Sequence, residues 1–289
     1  MLELLSFYIS LIFSSIAAAF DVKITPTEIP DEIPHAMIAI ALILAFIKCL
    51  FDLSLVALLE SLLYGLALLA FGFLMYKIGQ WGGGDAKLLA AIGFFSPLIS
   101  PLVKNLHFPF ALSYLLNVFV VGAAYMIAYA IILGFINKSI FNNFKKNLKS
   151  SSRLLLFSLS LLFLVFSFSN LFLFSFFSFP INLNSIFLNS LLLVIVTTSL
   201  ILLWFFVKTV EEVAFKRKIP VSKLKVGDVL MESKVWEGIT EEELKKIKKS
   251  GKKFVWIKEG VRFAPTFPLA LLSTVLFGDL IFHIFSFFT

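Results

Sequence analysis

Eight apolar stretches govern what this chain can fold into. They cover residues 4–20, 35–51, 54–76, 86–103, 110–136, 154–179, 185–207 and 266–288. Each is close to the roughly 20 apolar residues that a helix needs to cross a bilayer. A water-soluble globule could not hide this much apolar surface. Of the 289 residues 60% are hydrophobic, 36 are Phe and only 15% are charged, against about 25% charged in soluble domains. A soluble enzyme and a disordered chain are both excluded. The expected fold is an all-α polytopic membrane protein of about eight transmembrane helices, with one small polar α+β module.

The connections between these stretches alternate in character. Those after the first, third, fifth and seventh are polar or basic, and those between are short. Lys23, Lys77, Lys87, Lys138, Lys145, Lys146, Lys149 and Arg153 lie on the basic side, and the seventh connection adds 15 Lys and Arg. Of 25 basic residues, 23 fall on that side, leaving only Lys48 and Lys104 on the other. By the positive-inside rule, the odd-numbered connections are cytoplasmic and both termini lie outside. The net charge of +7 therefore reports this bias and gives no sign of a nucleic-acid partner. The first stretch carries Glu3 where a signal peptide would carry a basic segment, so it reads as a retained helix.

Five regions follow. Residues 1–137 form a transmembrane core and 138–153 a basic cytoplasmic loop. Residues 154–207 are a Phe, Leu and Ser-rich hairpin, turned near Pro180, Asn182, Asn184 and Asn189, and read as lipid-facing packing. Residues 208–264, with 15 basic and nine acidic groups, form a small cytoplasmic module. In it Val221–Val229 alternates like a strand, and Gly227-Asp228 marks its turn. Thr240 to Glu243 matches a capping box, Gly251 stops that helix, and Phe254–Ile257 reads as a second strand. Residues 265–289 are the last membrane helix.

Ionisable groups in apolar spans need a reason. Asp21 ends the first stretch. Asp85 opens the fourth, straight after Trp81-Gly82-Gly83-Gly84. The topology puts both carboxylates at one depth on the cytoplasmic face, on separate helices. Brought close, they cannot both ionise and would titrate as a unit. One could then act as general base on a water while the other polarises a peptide carbonyl. The glycines would let a substrate backbone approach and would permit positive φ.

The run from Gly82 to Gly93 (GGGDAKLLAAIG) resembles the GxGD motif of the type IV prepilin peptidases. Asp21-Val22-Lys23 with Ile29-Pro30-Asp31 resembles the surroundings of that family's first aspartate, with a longer linker, Thr25-Pro26-Thr27-Glu28. The likeness covers about residues 1–137 and Val261–Leu280, where Phe263 to Pro268 and Gly278-Asp279 are similar to archaeal members. It implies a metal-independent aspartic endopeptidase of the plasma membrane, with Asp21 and Asp85 catalytic. It also implies substrates: prepilins or preflagellins, whose class III leader is cut at the cytoplasmic face. With a single Cys (Cys49) there is no cysteine-built zinc site as in bacterial members. No N-methyltransferase activity is therefore expected. The extra hairpin favours the archaeal prepilin type.

Lys87, next to the motif, is read either as steadying the dyad or as an interfacial lysine. Asp31 is the alternative partner for Asp85. Asp279 is expected to pair across the bundle, Glu60 to be a buried hydrogen-bonded carboxyl, His35 interfacial and Cys49 a packing residue. Three other readings stay open: a presenilin-like intramembrane protease, a proton-coupled transporter using Asp85, Glu60 and Asp279, and a non-catalytic scaffold. Phe20 before Asp21 and the lack of a Pro-Ala-Leu motif speak against the first. The lack of an internal repeat speaks against the second.

Overall fold

The computed structural model describes residues 1–23, 29–104, 106–177, 182–233, 238–258 and 262–282. Seven of its helices are long and apolar enough to cross a membrane. They are α1 (Leu2–Lys23), α2 (Glu32–Asp52), α3 (Val56–Lys77), α4 (Gly83–Ile99), α5 (Phe110–Ile136), α6 (Lys138–Phe176) and α7 (Leu183–Val210). Two shorter helices follow, α8 (Glu241–Lys249) and α9 (Thr266–Phe277). The protein is a polytopic helical membrane protein carrying one small sheet. Two compact units divide it: Met1–Ala128 with Lys216–Thr289, and Tyr129–Phe215.

In the first unit α4 is the central helix, packed on α1, α2 and α3. It can sit so close because small residues line the contact with α3. A Cβ on Gly72 would stand 2.9 Å from the Ala86 Cα, and one on Gly93 would stand 3.1 Å from the Tyr64 carbonyl oxygen. The Phe94 ring occupies the place of a Cβ on Gly65. Between the same two helices, the Ser61 hydroxyl donates to the Phe94 carbonyl. From Leu88 to Ile99 the whole of α4 is buried.

The last apolar stretch does not form one long helix. α9 stops at Gly278, which takes φ +70°, and Phe282 begins a new turn on the Asp279 carbonyl. A break at membrane depth is tolerable only where the freed backbone groups find partners. Asn117 of α5 supplies them. Its Nδ2 donates to the Gly278 carbonyl (2.7 Å) and to the Thr274 hydroxyl (2.9 Å), and its Oδ1 accepts the Leu280 N–H (3.1 Å). Hydropathy sees only the apolar run and so extends it through the break; residues 283–289 lie outside the described region.

The small module has three antiparallel strands in the order β1–β3–β2: β1 (Lys216–Pro220), β2 (Val229–Leu230) and β3 (Phe254–Lys258). The segment read as a strand, Val221–Val229, is not one over most of its length. Val221–Lys223 is a single 3-10 turn, and the buried residues are Val221 and Leu224, spaced by three rather than two. Pro220 ends β1 just before it. The capping box is present: the Glu243 N–H donates to Thr240 Oγ1 (3.3 Å) and the Thr240 N–H to Glu243 Oε2 (2.9 Å). Leu244 and Ile247 of α8 cover one sheet face, packed with Ile219, Leu230, Val255 and Ile257.

In the second unit, residues 138–153 are helical rather than a loop. They form the first turns of the 39-residue α6, which at 1.5 Å per residue runs to roughly 58 Å, about twice the hydrocarbon thickness. Asn137 caps it by accepting the Ser139 N–H at 3.0 Å. α6 and α7 pair as a hairpin, joined at Asn170 Nδ2 and Ser190 Oγ (3.2 Å). The turn expected near Pro180 lies outside the described residues.

Candidate active site

Asp21 sits in the last turn of α1 and Asp85 in the first turn of α4. The two helices pack against each other. Both side chains are partly buried. Each carboxylate is held by one backbone amide: Asp21 Oδ2 accepts the Ala264 N–H at 3.2 Å, and Asp85 Oδ2 accepts the Gly82 N–H at 3.1 Å. Among the described residues the Oδ1 atoms have no protein donor, which leaves an oxygen on each for water or substrate.

The three glycines act differently from what their sequence suggests. None of them takes positive φ; Gly82 is extended, at φ −73° and ψ 159°. The positive φ belongs to Gly79, at +72°, where the chain leaves α3 and the Gln80 and Trp81 N–H groups fold back onto the Met75 carbonyl. Gly84 serves close packing instead. A Cβ there would stand 3.0 Å from the Ile29 Cβ, so glycine lets the segment entering α2 lie on the start of α4. A Cβ on Gly82 would stand 3.3 Å from Asp85 Oδ2, and one on Gly83 would meet the Tyr76 ring at 3.9 Å, an ordinary contact.

Lys87 points to Asp31, with Nζ and Oδ1 2.7 Å apart and both side chains well exposed. The pair ties the start of α4 to the start of α2, so Asp31 has a cation of its own. His35 caps the same turn through the Asp31 carbonyl, and Cys49 is buried. The linker Thr25–Glu28 lies outside the described residues.

Glu60 and Asp279 are not brought to this place. Glu60 lies in the first turns of α3, partly exposed, at the opposite end of that helix from the glycine turn. Asp279 lies beyond the far end of the 12-residue α9, so roughly 18 Å of helix separates it from Ala264. It is buried, and its Oδ2 accepts the His107 backbone N–H at 2.6 Å, with His107 Nδ1 at 3.2 Å. Together they line a cleft of about 610 Å³. This pairing ties the α4–α5 connection to the broken helix.

Two supports of the site carry little sequence signal. Trp81, directly before the glycines, is buried in an aromatic cluster. Its ring stacks on Phe119 at 6.1 Å, lies 5.8 Å from Phe263, and meets Phe71 and Phe267 edge-on at 6.0 and 5.9 Å. This anchors the turn that presents Asp85. The segment Arg262 to Ala264 holds Asp21: the Arg262 guanidinium donates to the Val22 carbonyl, and Ala264 gives its N–H to the carboxylate. Phe263, between them, reaches Trp81. One strap therefore touches both halves of the site. Only the flanking Phe-Ala-Pro pattern hinted at it, because backbone donors leave no mark in a sequence.

Two partly buried aspartates at adjoining helix ends of a polytopic membrane protein mark the candidate site. Residues 8–136 match the model of the type IV leader peptidase family (Peptidase_A24). The matched region holds Asp21, Asp85 and all of the glycine turn. No curated protein and no solved structure gives a significant match to the chain.

Proposed function

We propose that this protein is an aspartic endopeptidase that removes the short leader from prepilins or preflagellins, cutting beside the substrate's apolar segment at the cytoplasmic face. The observation that carries the reading is the convergence of Asp21 and Asp85 from separate helices, with a free oxygen on each. The family match supports peptidase chemistry, and the skew of 23 basic residues to one side supports the cytoplasmic placement.

The chemistry follows from a shared proton. Two neighbouring carboxylates hold one proton between them. The ionised partner takes a proton from water, and the oxygen of that water bonds to the scissile carbonyl carbon. The protonated partner donates to the carbonyl oxygen. When the intermediate collapses the C–N bond breaks, the leaving nitrogen takes the proton that came from water, and a hydroxyl of the intermediate returns its proton to the second carboxylate as the C=O bond re-forms. The dyad titrates as a unit, so neither role is assigned to one residue. Gly82 and Gly83 leave room at the α4 entrance for an extended backbone. Ala264 and Gly82 hold the carboxylates by amides that cannot themselves titrate.

The test is co-expression with a prepilin carrying a class III leader, followed by sequencing of the product's N-terminus. A juxtamembrane cut by the wild type, lost in both Asp21→Asn and Asp85→Asn, is the expected result. A cut in the middle of the apolar segment would reassign the chain to presenilin-like proteolysis. Activity surviving in Asp21→Asn would remove that residue from the dyad.

A further inference from the structure

The small sheet has two faces of different character. The alternation along β3 sends Val255 and Ile257 toward α8, and Phe254, Trp256 and Lys258 the other way. The register places Lys218 opposite Trp256, Pro220 opposite Phe254 and Lys216 opposite Lys258. Met231, whose N–H bonds to the Trp256 carbonyl, continues β2 on that same side. No helix covers this second face among the described residues. Phe254, Trp256 and Met231 are 54%, 51% and 44% exposed, which is unusual for an aromatic cluster on a polar module. Lys218 lies over the Phe254 ring at 5.2 Å, and Lys258 donates to the Ser233 carbonyl at 2.8 Å, beside the patch. The nearby carboxylate, Glu232, is turned to Lys252.

The sheet is also tethered close to the bilayer. Lys258 ends β3, and Arg262 four positions later is hydrogen-bonded to Val22 at the end of α1. Four residues span at most about 14 Å. Exposed Trp with flanking lysines is the composition that favours a membrane–water interface, and lysines held near a bilayer are drawn to anionic lipid.

We infer that the Phe254–Trp256–Met231 face of the sheet docks on the anionic headgroups of the bilayer the chain spans. The aromatic rings enter the headgroup layer, and Lys218 beside them meets lipid phosphate. This fixes the strap that follows β3, which is the segment holding Asp21. The inference does not depend on which substrate is cut.

The test uses the full chain with Cys49→Ala and one nitroxide-labelled cysteine, placed by Met231→Cys on the patch or by Lys245→Cys on exposed α8. Reconstitution is in nanodiscs of mixed phosphatidylglycerol and phosphatidylcholine, or of phosphatidylcholine alone. Collision with oxygen against a nickel chelate reports depth. In mixed nanodiscs the Met231→Cys label should favour oxygen while the Lys245→Cys label stays aqueous. That preference should fall in phosphatidylcholine alone, with Lys218→Glu, and at about 1 M salt, where the screening length drops to about 3 Å. A Met231→Cys label that is aqueous in mixed nanodiscs overturns the inference. So does one shielded equally in both lipids and at both salts, which would mean that the face is covered by protein.

Discussion

The helices around the two aspartates and the α6–α7 hairpin are both long and apolar, yet they meet opposite surroundings. In α4, 72% of the spanning window is buried inside the protein; in α6 and α7 the figures are 0% and 6%. The most buried of the seven is also the least apolar of them. A helix facing lipid gains from bulk, and the hairpin shows Phe157, Phe168 and Phe172 about 70% exposed. A helix facing other helices needs smallness and a few polar contacts, because lipid offers no hydrophobic drive between them. Among these helices the lowest hydropathy, in the Gly- and Ala-rich α4, goes with the deepest burial, and the highest, in α7, with exposure.

The contrast can be broken or sharpened by substitution. The largest effect belongs to the dyad. Asp85→Asn should lower leader cleavage by at least about 10²-fold, the range of acid–base catalysis, with the thermal midpoint in detergent nearly unchanged. Ordinary turnover by that variant would end the dyad assignment. Trp81→Ala should cost about 3–5 kcal/mol of stability, as for other buried Trp truncations, and should reduce kcat as the turn before Asp85 loosens. Retained kcat in the surviving folded fraction would show that the aromatic cluster supports only the fold.

Gly72→Val tests the close packing directly. Its Cβ has no room beside the Ala86 backbone, and overpacking of this kind costs about 1–3 kcal/mol, visible as a lowered melting temperature. Asn117→Leu keeps the size of the side chain but strands the Gly278 carbonyl and the Leu280 N–H. Each unpaired buried group costs about 1–3 kcal/mol, so melting should again fall while the dyad stays intact. The smallest effect is expected in the hairpin. Phe168→Leu keeps an apolar surface toward lipid and should stay within about 0.5 kcal/mol. A large loss there would mean that the hairpin is buried in an assembly.

Much of the centre was legible. Glycines before an aspartate at a helix start, and a second aspartate at a helix end on the same side, are local signals backed by a topological one. The wrong inferences have local causes too. The triple glycine suggests positive φ beside Asp85, but composition cannot separate freedom in φ from want of space, and here Gly79 takes the positive-φ turn. Val221–Val229 looked like a strand because Pro220 and a three-residue spacing were outweighed by alternation. The charge of 138–153 suggests a loop, but Asn137 caps the segment and the apolar run that follows carries its helix on.

From the sequence alone come the membrane-spanning class, the number of long apolar helices to within one, the count of basic charge and the positions of the two aspartates. These are set by chain-local quantities: length of apolar run, charge count and residue type. The tertiary structure alone decided which backbone amides hold the carboxylates, that Lys87 turns to Asp31, and that α9 breaks where Asn117 can repair it. Those outcomes depend on contacts between residues up to 243 positions apart, as between Asp21 and Ala264. No periodicity or motif records such a contact, because the donor at Ala264 is a backbone N–H that almost any residue would supply.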